Sequence, residues 1–238
     1  MSTYKTHNIS DILKGNKYPG RGIIIGTSPD KRYAVCAYFI MGRSENSRNR
    51  VFVKHGETLM TEPFDHSKVS DPSLIIYNAV RKAKNSLIVT NGDQTDTVYD
   101  LTCKGLSFKE ALETREFEPD APNFTPRISG MLHFENGFCY EMSILKSIDE
   151  SGTDCCRYTY SYPSANGLGH FIHTYDCDGD PLPTFTGEPH RVNIKASVDE
   201  FSDEIWESLD EDNRISLYVR YTDIKTGEYT DKITNKNG

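Results

Sequence analysis

The chain has 238 residues, a formal net charge of −8 at pH 7, and hydrophobic and charged fractions of 36% and 26%. This length accommodates one large domain or two small ones with a sizeable core. The acidic balance argues against a general nucleic-acid-binding protein, which usually carries a basic face. No apolar run reaches the length of a membrane span, so we expect neither nucleic acid nor membrane among its partners.

Apolar runs and turn residues predict the elements in chain order. Residues 1–17 are polar and predict a loose lead-in. Short apolar runs separated by turn residues, together with fourteen Tyr and eleven Phe, favour antiparallel strands. The predicted strands are 22–26, 33–41, 51–53, 87–90, 128–134, 138–145, 155–162, 170–175, 190–195 and 214–222, with a last hairpin from residue 226.

Three helices are predicted from their N-terminal signals. Asp71 can cap a helix over 72–84, and Pro72 suits its first position. A serine followed three residues later by a glutamate is the pattern of a capping box. That pattern opens predicted helices over 107–115 and 197–209.

The clearest hairpin signal is Asn136-Gly137, because this dipeptide supplies the positive φ angles of a type I′ turn. Many antiparallel strands with few helices indicate an α+β fold arranged in layers. We assign residues 1–238 to a single domain, with residues 217–238 as a C-terminal extension.

The six cysteines form no C-x-x-C pair, and the N-terminal residues lack the apolar segment of a secretory signal. We therefore expect a cytoplasmic protein with reduced thiols. A reactive thiol needs an electropositive partner, and the sequence provides no clear one. The cysteines are Cys36, Cys103, Cys139, Cys155, Cys156 and Cys177.

Three polar segments are candidates for a binding site. Residues 118–128 combine carboxylates, an amide, a hydroxyl and a guanidinium between prolines that exclude a helix interior. Residues 42–50 are rich in arginine, which binds phosphate or carboxylate through its planar fork. Residues 91–97 follow a predicted strand and can hydrogen-bond to their own backbone. Each segment is also compatible with an ordinary loop.

Two further features, an arginine cluster and the predicted helix 72–84, each allow both a functional and a structural interpretation. The cluster of Arg32, Arg43, Arg48 and Arg50 suits either capture of a small anion or a solvated turn with surface ion pairs. The predicted helix 72–84 would place four side chains along one face, and a tyrosine on such a face is more often part of a core. These side chains are Leu74, Tyr77, Asn78 and Arg81.

We expect no metal site in the acidic segment near residue 178. Asp176, Asp178 and Asp180 have the spacing that begins an EF-hand loop. Pro181 and Gly187 then occupy the positions where that loop requires glycine and a bidentate glutamate.

Five segments, in order and spacing, resemble the archaeal-type IMP cyclohydrolase family. The resemblance covers residues 18–145 well and the rest weakly. The chain departs from the family in the loop 41–47, in the prolines of 119–122 and in extra residues at both ends, which leaves the ribotide substrate open. The matching segments are 18–22, 48–50, 77–81, 91–97 and 117–128.

The resemblance implies a four-layer αββα sandwich of mainly antiparallel sheets. This fold is similar to that of the N-terminal-nucleophile hydrolases, without their terminal nucleophile, and Ser2 is accordingly discounted. The implied reaction closes the purine ring of 5-formamidoimidazole-4-carboxamide ribotide to inosine monophosphate, with release of water. No metal or organic cofactor is implied, and the family tends to form tetramers, so a homo-oligomer (dimer or tetramer) is expected.

The resemblance also implies the site residues. Tyr77 and Glu118 would move protons at the reacting amide, while Arg50 and Arg127 would bind phosphate or polarise the formyl oxygen. The remaining implied substrate-binding residues are Arg21, Asn49, Asn78, Asn91, Asp96, Thr97, Asp120, Asn123 and Thr125.

Two alternative functions remain open. One is a purine-nucleotide-binding module without catalysis, which loss of Tyr77 or Glu118 would favour, although both are present. The other is a related amide hydrolase acting on another ribotide, which would need an activated nucleophile.

Overall fold

The computed structural model describes residues 4–69 and 76–237. Their strands are β1 (Arg21–Thr27), β2 (Tyr33–Met41), β3 (Val51–His55), β4 (Thr58–Glu62), β5 (Tyr77–Ala83), β6 (Ser86–Thr90), β7 (Arg127–His133), β8 (Cys139–Ser147), β9 (Cys155–Pro163), β10 (Leu168–His173), β11 (His190–Asn193), β12 (Arg214–Asp223) and β13 (Tyr229–Asn235). The helices are α1 (Ile9–Leu13), α2 (Glu45–Arg48), α3 (Gln94–Cys103), α4 (Phe108–Glu113) and α5 (Val198–Ser208), with a 3₁₀ turn at His66–Lys68.

The strands form two antiparallel sheets, which confirms the α+β prediction. One sheet has the order β11-β10-β1-β2-β12-β13, and the other has the order β3-β4-β5-β6-β7-β8-β9. The sheets pack face to face over a core that contains Ile23 and Ile25 of β1 and Val89 of β6. They approach closely at Gly130 of β7, where a Cβ atom would lie 2.4 Å from Ile25 Cδ1.

Helices cover the outer face of each sheet. Ile9 of α1 and Phe201 of α5 pack on the six-stranded sheet. Val98 of α3 and Phe108 of α4 pack on the seven-stranded sheet. The layers are therefore ordered helices, sheet, sheet, helices, and each sheet buries both faces.

The prediction of a helix over 72–84 is wrong for the part that the structure describes. Residues 77–83 form β5, which pairs with β4 and β6. The strand register shifts after Asn78, so that Ala79 and Val80 both face the inter-sheet core. Asp71, Pro72 and Leu74 lie outside the described residues, as does Ser2.

Four further elements differ from prediction, among them α2, which lies in the arginine-rich segment 42–50 where no helix was predicted. The lead-in contains α1, which buries Ile9 and Leu13. Residues 94–97, expected to be loop, begin α3, and β4 was not predicted. The hairpin around Asn136, with φ +60°, is confirmed, as are the helices opened by Ser107 and Ser197 and the final hairpin of β12 and β13.

All six cysteines are free. None of the helices in the described part of the chain is both long and apolar enough to cross a membrane.

Candidate active site

A pair of buried tyrosines joins the two sheets at one end of the sandwich. The hydroxyls of Tyr38 on β2 and Tyr77 on β5 lie 2.8 Å apart. Burial raises the pKa of Tyr77, while Arg50, the bond to Tyr38 and Arg21 act in the opposite direction. Burial also raises the pKa of Tyr38, so the two hydroxyls share a proton network in their neutral forms.

Two arginines lie beside this pair, Arg50 fully buried and Arg21 half-buried. Arg50 is 2% exposed and donates from Nε to the Ser47 carbonyl (2.7 Å) and from Nη2 to the Met41 carbonyl (3.2 Å). Burial and the neighbouring Arg21 lower the pKa of Arg50. Burial opposes the charge on Arg21, but Tyr18, Glu118 and other neighbours raise its pKa overall. The Arg21 Nε has no hydrogen-bond partner among the described residues.

Glu118 is the acidic member of this cluster and is 9% exposed. Burial raises its pKa, while Arg21 and Arg127 oppose that shift. Its Oε1 lies 3.9 Å from Arg127 Nη1, which is long for a hydrogen-bonded ion pair. A carboxyl group held between these opposing effects can accept and return a proton.

Arg127 connects Glu118 to the start of α3. Its Nη1 lies 2.7 Å from both Asp93 Oδ1 and Gln94 Oε1. Arg115 contacts both oxygens of the same aspartate at 2.6 Å. A surface depression of about 360 Å³ is lined by Arg115, Arg127 and Arg157 together with Glu113 and Glu116, so this side of the cluster is open and three guanidinium groups outnumber two carboxylates there.

The loop 118–128 reaches the cluster through hydroxyl contacts. Thr125 is buried, bonds through its hydroxyl to Asp120, and lies 2.6 Å from the Tyr175 hydroxyl. Tyr175 stacks on Tyr18, with ring centroids 6.0 Å apart. Gly20 is required beside these rings, because it has φ +79° and a Cβ there would lie 2.2 Å from Thr174 Oγ1.

Three of the predicted amides hold the backbone in place. The Asn91 side chain accepts from the Ile128 N–H (2.8 Å) and donates to the Pro126 carbonyl (2.9 Å). The Asn49 side chain likewise donates to the Asp65 carbonyl and accepts from the Asp65 N–H. These two side chains fix the strand ends that carry the cluster. Asn123 accepts from the Leu182 N–H at 3.0 Å.

Asn78, Asp96 and Thr97 lie on the other side of the seven-stranded sheet from Tyr77. Asp96 Oδ1 accepts from Asn78 Nδ2 (2.8 Å) and from Arg81 Nη1 (2.7 Å). Thr97 receives a long contact from Arg115 at 3.5 Å. Successive side chains of a strand point to opposite faces, so Asn78 faces α3 while its neighbour faces the core.

The early arginine cluster is dispersed in the structure. Arg32 pairs with Asp223 at 2.8 Å, and Arg43 pairs with Asp178 at 2.7 Å. Arg48 donates to the Gly42 carbonyl and to Asn213 Oδ1, and only Arg50 among the four lies beside the tyrosine pair.

Sequence reasoning brought together Tyr77, Glu118, Arg50, Arg21 and Arg127, but it missed Tyr38. Tyr38 lies in an apolar strand, and no polar residue of that strand indicates a functional role for it. Its spacing places it on the same face of the strand as Ile40 and Cys36. Asp93 and Gln94, which orient Arg127, were read as loop residues.

Comparisons with known proteins show which family and which relatives the chain resembles. A family model described as "IMP cyclohydrolase-like protein" matches residues 18–228. An IMP cyclohydrolase of Methanococcus aeolicus is 26% identical over 67% of this chain and 75% of its own length. One from Methanococcus maripaludis is 31% identical over 65% and 79%. One from Methanosphaera stadtmanae is 31% identical over 49% of this chain, which spans 58% of that relative.

Proposed function

The chain belongs to the IMP cyclohydrolase-like protein family, and we propose that it closes the purine ring of 5-formamidoimidazole-4-carboxamide ribotide to give inosine monophosphate and water. The cluster of the buried Tyr77, Glu118 and Arg50 with the half-buried Arg21 is the observation that carries this proposal. It combines proton-transfer groups with fixed positive charge in a site largely withdrawn from water.

The reaction requires two proton movements. The carboxamide nitrogen attacks the formyl carbon, the formyl oxygen gains a proton, and a cyclic carbinolamine forms. Loss of that hydroxyl as water, with loss of a ring N–H proton, completes the purine. The attack is intramolecular, so most of its entropic cost is met by the substrate itself.

The residues divide naturally between these tasks. Glu118, with its raised pKa, takes the amide proton and returns a proton to the departing hydroxyl. Tyr77, held by Tyr38, donates its proton to the formyl oxygen and is reprotonated by the ring N–H proton that is lost as water departs. Arg21 and Arg50 stabilise negative charge that develops on that oxygen, because fixed cations act strongly where water is excluded.

The phosphate of the ribotide belongs at the other end of the cluster. Arg127 reaches both Glu118 and the open depression that it shares with Arg115 and Arg157. Planar guanidinium groups bind phosphate with two parallel hydrogen bonds. This division assigns Arg127 to the phosphate and Arg50 to the reacting centre.

The layer order, with helices outside two facing sheets, supports a likeness to the N-terminal-nucleophile hydrolase fold. We include this likeness in the proposal. We also propose that the protein assembles into a homo-oligomer and is located in the cytoplasm.

The first test is a spectrophotometric assay of ring closure with the formamido ribotide. We expect Tyr77→Phe and Glu118→Gln to lower kcat/KM by about 10²-fold or more, because each removes a group that moves a proton. Tyr99→Phe and Glu110→Gln are the matched controls, since these side chains lie outside the cluster on α3 and α4, and they should retain full activity.

The outcomes separate the competing functions. If wild type shows no turnover while inosine monophosphate raises its melting temperature, the protein is a nucleotide-binding module. If neither turnover nor stabilisation occurs, the purine assignment is wrong. If wild type is active and both cluster variants are equally active, the site is misplaced.

A further inference from the structure

A second charged pocket lies at the opposite end of the strands from the tyrosine pair. It has a volume of about 380 Å³, within the usual size of small-molecule sites. The β5–β6 turn lies on one side, and the end of β12 lies on the other. Tyr77 begins β5 and Ala83 ends it, which separates the two sites by about 20 Å along the strand.

The pocket is strongly basic in a protein whose net charge is −8. Lys82, Lys84, Arg220 and Lys225 line it, and none of the described lining residues is acidic. Its apolar lining comes from Leu87, Phe134 and Ile224. Cations beside an apolar wall suit an anionic ligand that also has an apolar or planar part.

Arg220 is the central feature, because its guanidinium is buried between the sheets with incomplete pairing. The residue is 3% exposed, and it lies across the β2–β12 ladder from Cys36 of the inter-sheet core. Its Nε donates to Thr222 Oγ1 at 3.0 Å, and its Cζ lies 3.6 Å from the Tyr229 ring centroid. Among the described residues, its Nη1 has no hydrogen-bond partner.

The acids near this guanidinium are shared with lysines. Glu57 lies 3.8 Å from Arg220 Nη2 but is half exposed and is shared with Lys82 at 3.2 Å. Asp231, opposite Arg220 on β13, pairs with Lys54 and accepts from the Tyr218 hydroxyl. A buried charge normally has a full set of partners, since desolvation is otherwise costly.

We propose that this pocket binds a small organic phosphate. Arg220 provides a fixed buried cation, the exposed Lys84 and Lys225 provide the donors to the phosphate oxygens, and Phe134 with Ile224 contacts the apolar part of the ligand. Phosphate fits better than a simple halide, because separate cationic donors can each bind a different oxygen of a tetrahedral oxyanion. The site is separate from the proposed catalytic cluster.

The test is a titration of the full-length protein with inorganic phosphate and with phenyl phosphate, followed by amide NMR shifts. We expect saturable shifts at the Lys225 and Gly227 amides, with tighter binding of phenyl phosphate because of the apolar wall. The double variant Lys84→Gln/Lys225→Gln should bind both probes at least about tenfold more weakly, since charge-assisted contacts are lost. Both lysines are exposed, so folding should be unaffected.

The matched control is Lys104→Gln/Lys109→Gln, which removes two exposed lysines from the α3–α4 region. It should bind like wild type. The proposal is overturned if neither probe shifts these amides, if shifts occur only near Gly92 beside the catalytic cluster, or if the two double variants bind alike. Binding of inorganic phosphate without phenyl phosphate would also overturn it. Ring-closure activity should be retained in the Lys84→Gln/Lys225→Gln protein.

Discussion

Glu118 combines a functional advantage with a cost to folding. Burial disfavours its ionised form, although three arginines act against that effect. A group with these properties is suited to proton transfer near neutral pH, yet it makes the folded state less stable once the carboxyl ionises. The same argument does not apply to glutamates on the surface helices.

This difference predicts opposite pH dependences for two glutamates. The pKa of Glu118 is raised by burial above its ordinary 4.5, so its stabilising contribution is present below that value and is lost as pH rises through the folded pKa. Glu118→Gln should therefore gain stability relative to wild type as pH rises from about 4 toward 7. Denaturant unfolding at several pH values measures this trend.

Glu110→Gln is the control. The Ser107 hydroxyl lowers the pKa of Glu110, so its contribution is present above its ordinary pKa and is lost as pH falls. This variant should lose stability relative to wild type as pH rises toward the ordinary pKa of 4.5, and the difference should then stay level up to about pH 7. Parallel slopes for the two variants would contradict the assigned environment of Glu118.

At the scale of elements, the sequence located most strands but misjudged β5 and α3. Residues 77–83 contain Ala, Arg and Lys, which favour helices, yet pairing with both neighbouring strands decides the outcome. Residues 94–97 follow Asn91-Gly92 and include two threonines, which together indicate a loop. Tertiary packing on the seven-stranded sheet makes this segment helical instead.

The strand assignment changes what two predicted ligands should do. The Asn91 side chain follows β6 and hydrogen-bonds to the backbone at the start of β7. Asn91→Ala should therefore lower the free energy of unfolding by about 3 kcal/mol, because buried backbone groups lose their partners. Asp96 pairs with Arg81 on the outer face while partly exposed, so Asp96→Ala should cost about 1 kcal/mol or less.

Kinetics complete this comparison. Asp96→Ala should leave KM for the ribotide unchanged, since Asp96 faces α3 rather than the tyrosine pair. A tenfold rise in KM with unchanged stability would restore Asp96 as a substrate ligand. Urea unfolding and steady-state assays on both variants provide the two measurements.

At the scale of the whole molecule, the assembly state is the open prediction. The family resemblance predicts a dimer or tetramer, and several large apolar side chains are exposed, including Phe64, Ile148 and Tyr158. Light scattering coupled to size exclusion should give two or four times the chain mass of 27.0 kDa. A mass of one chain across micromolar concentrations would contradict it.

The hydroxyl contact between Tyr38 and Tyr77 has a consequence for how the protein loses activity. One tyrosine comes from each sheet, so the proposed catalytic arrangement exists only while the two sheets stay in register. A small slip of one sheet over the other would separate these hydroxyls before either sheet lost a strand. Turnover should therefore be more sensitive than secondary structure to any loosening of the contact between the sheets. Under mild denaturing conditions, we expect the enzyme to lose activity while its secondary structure remains intact.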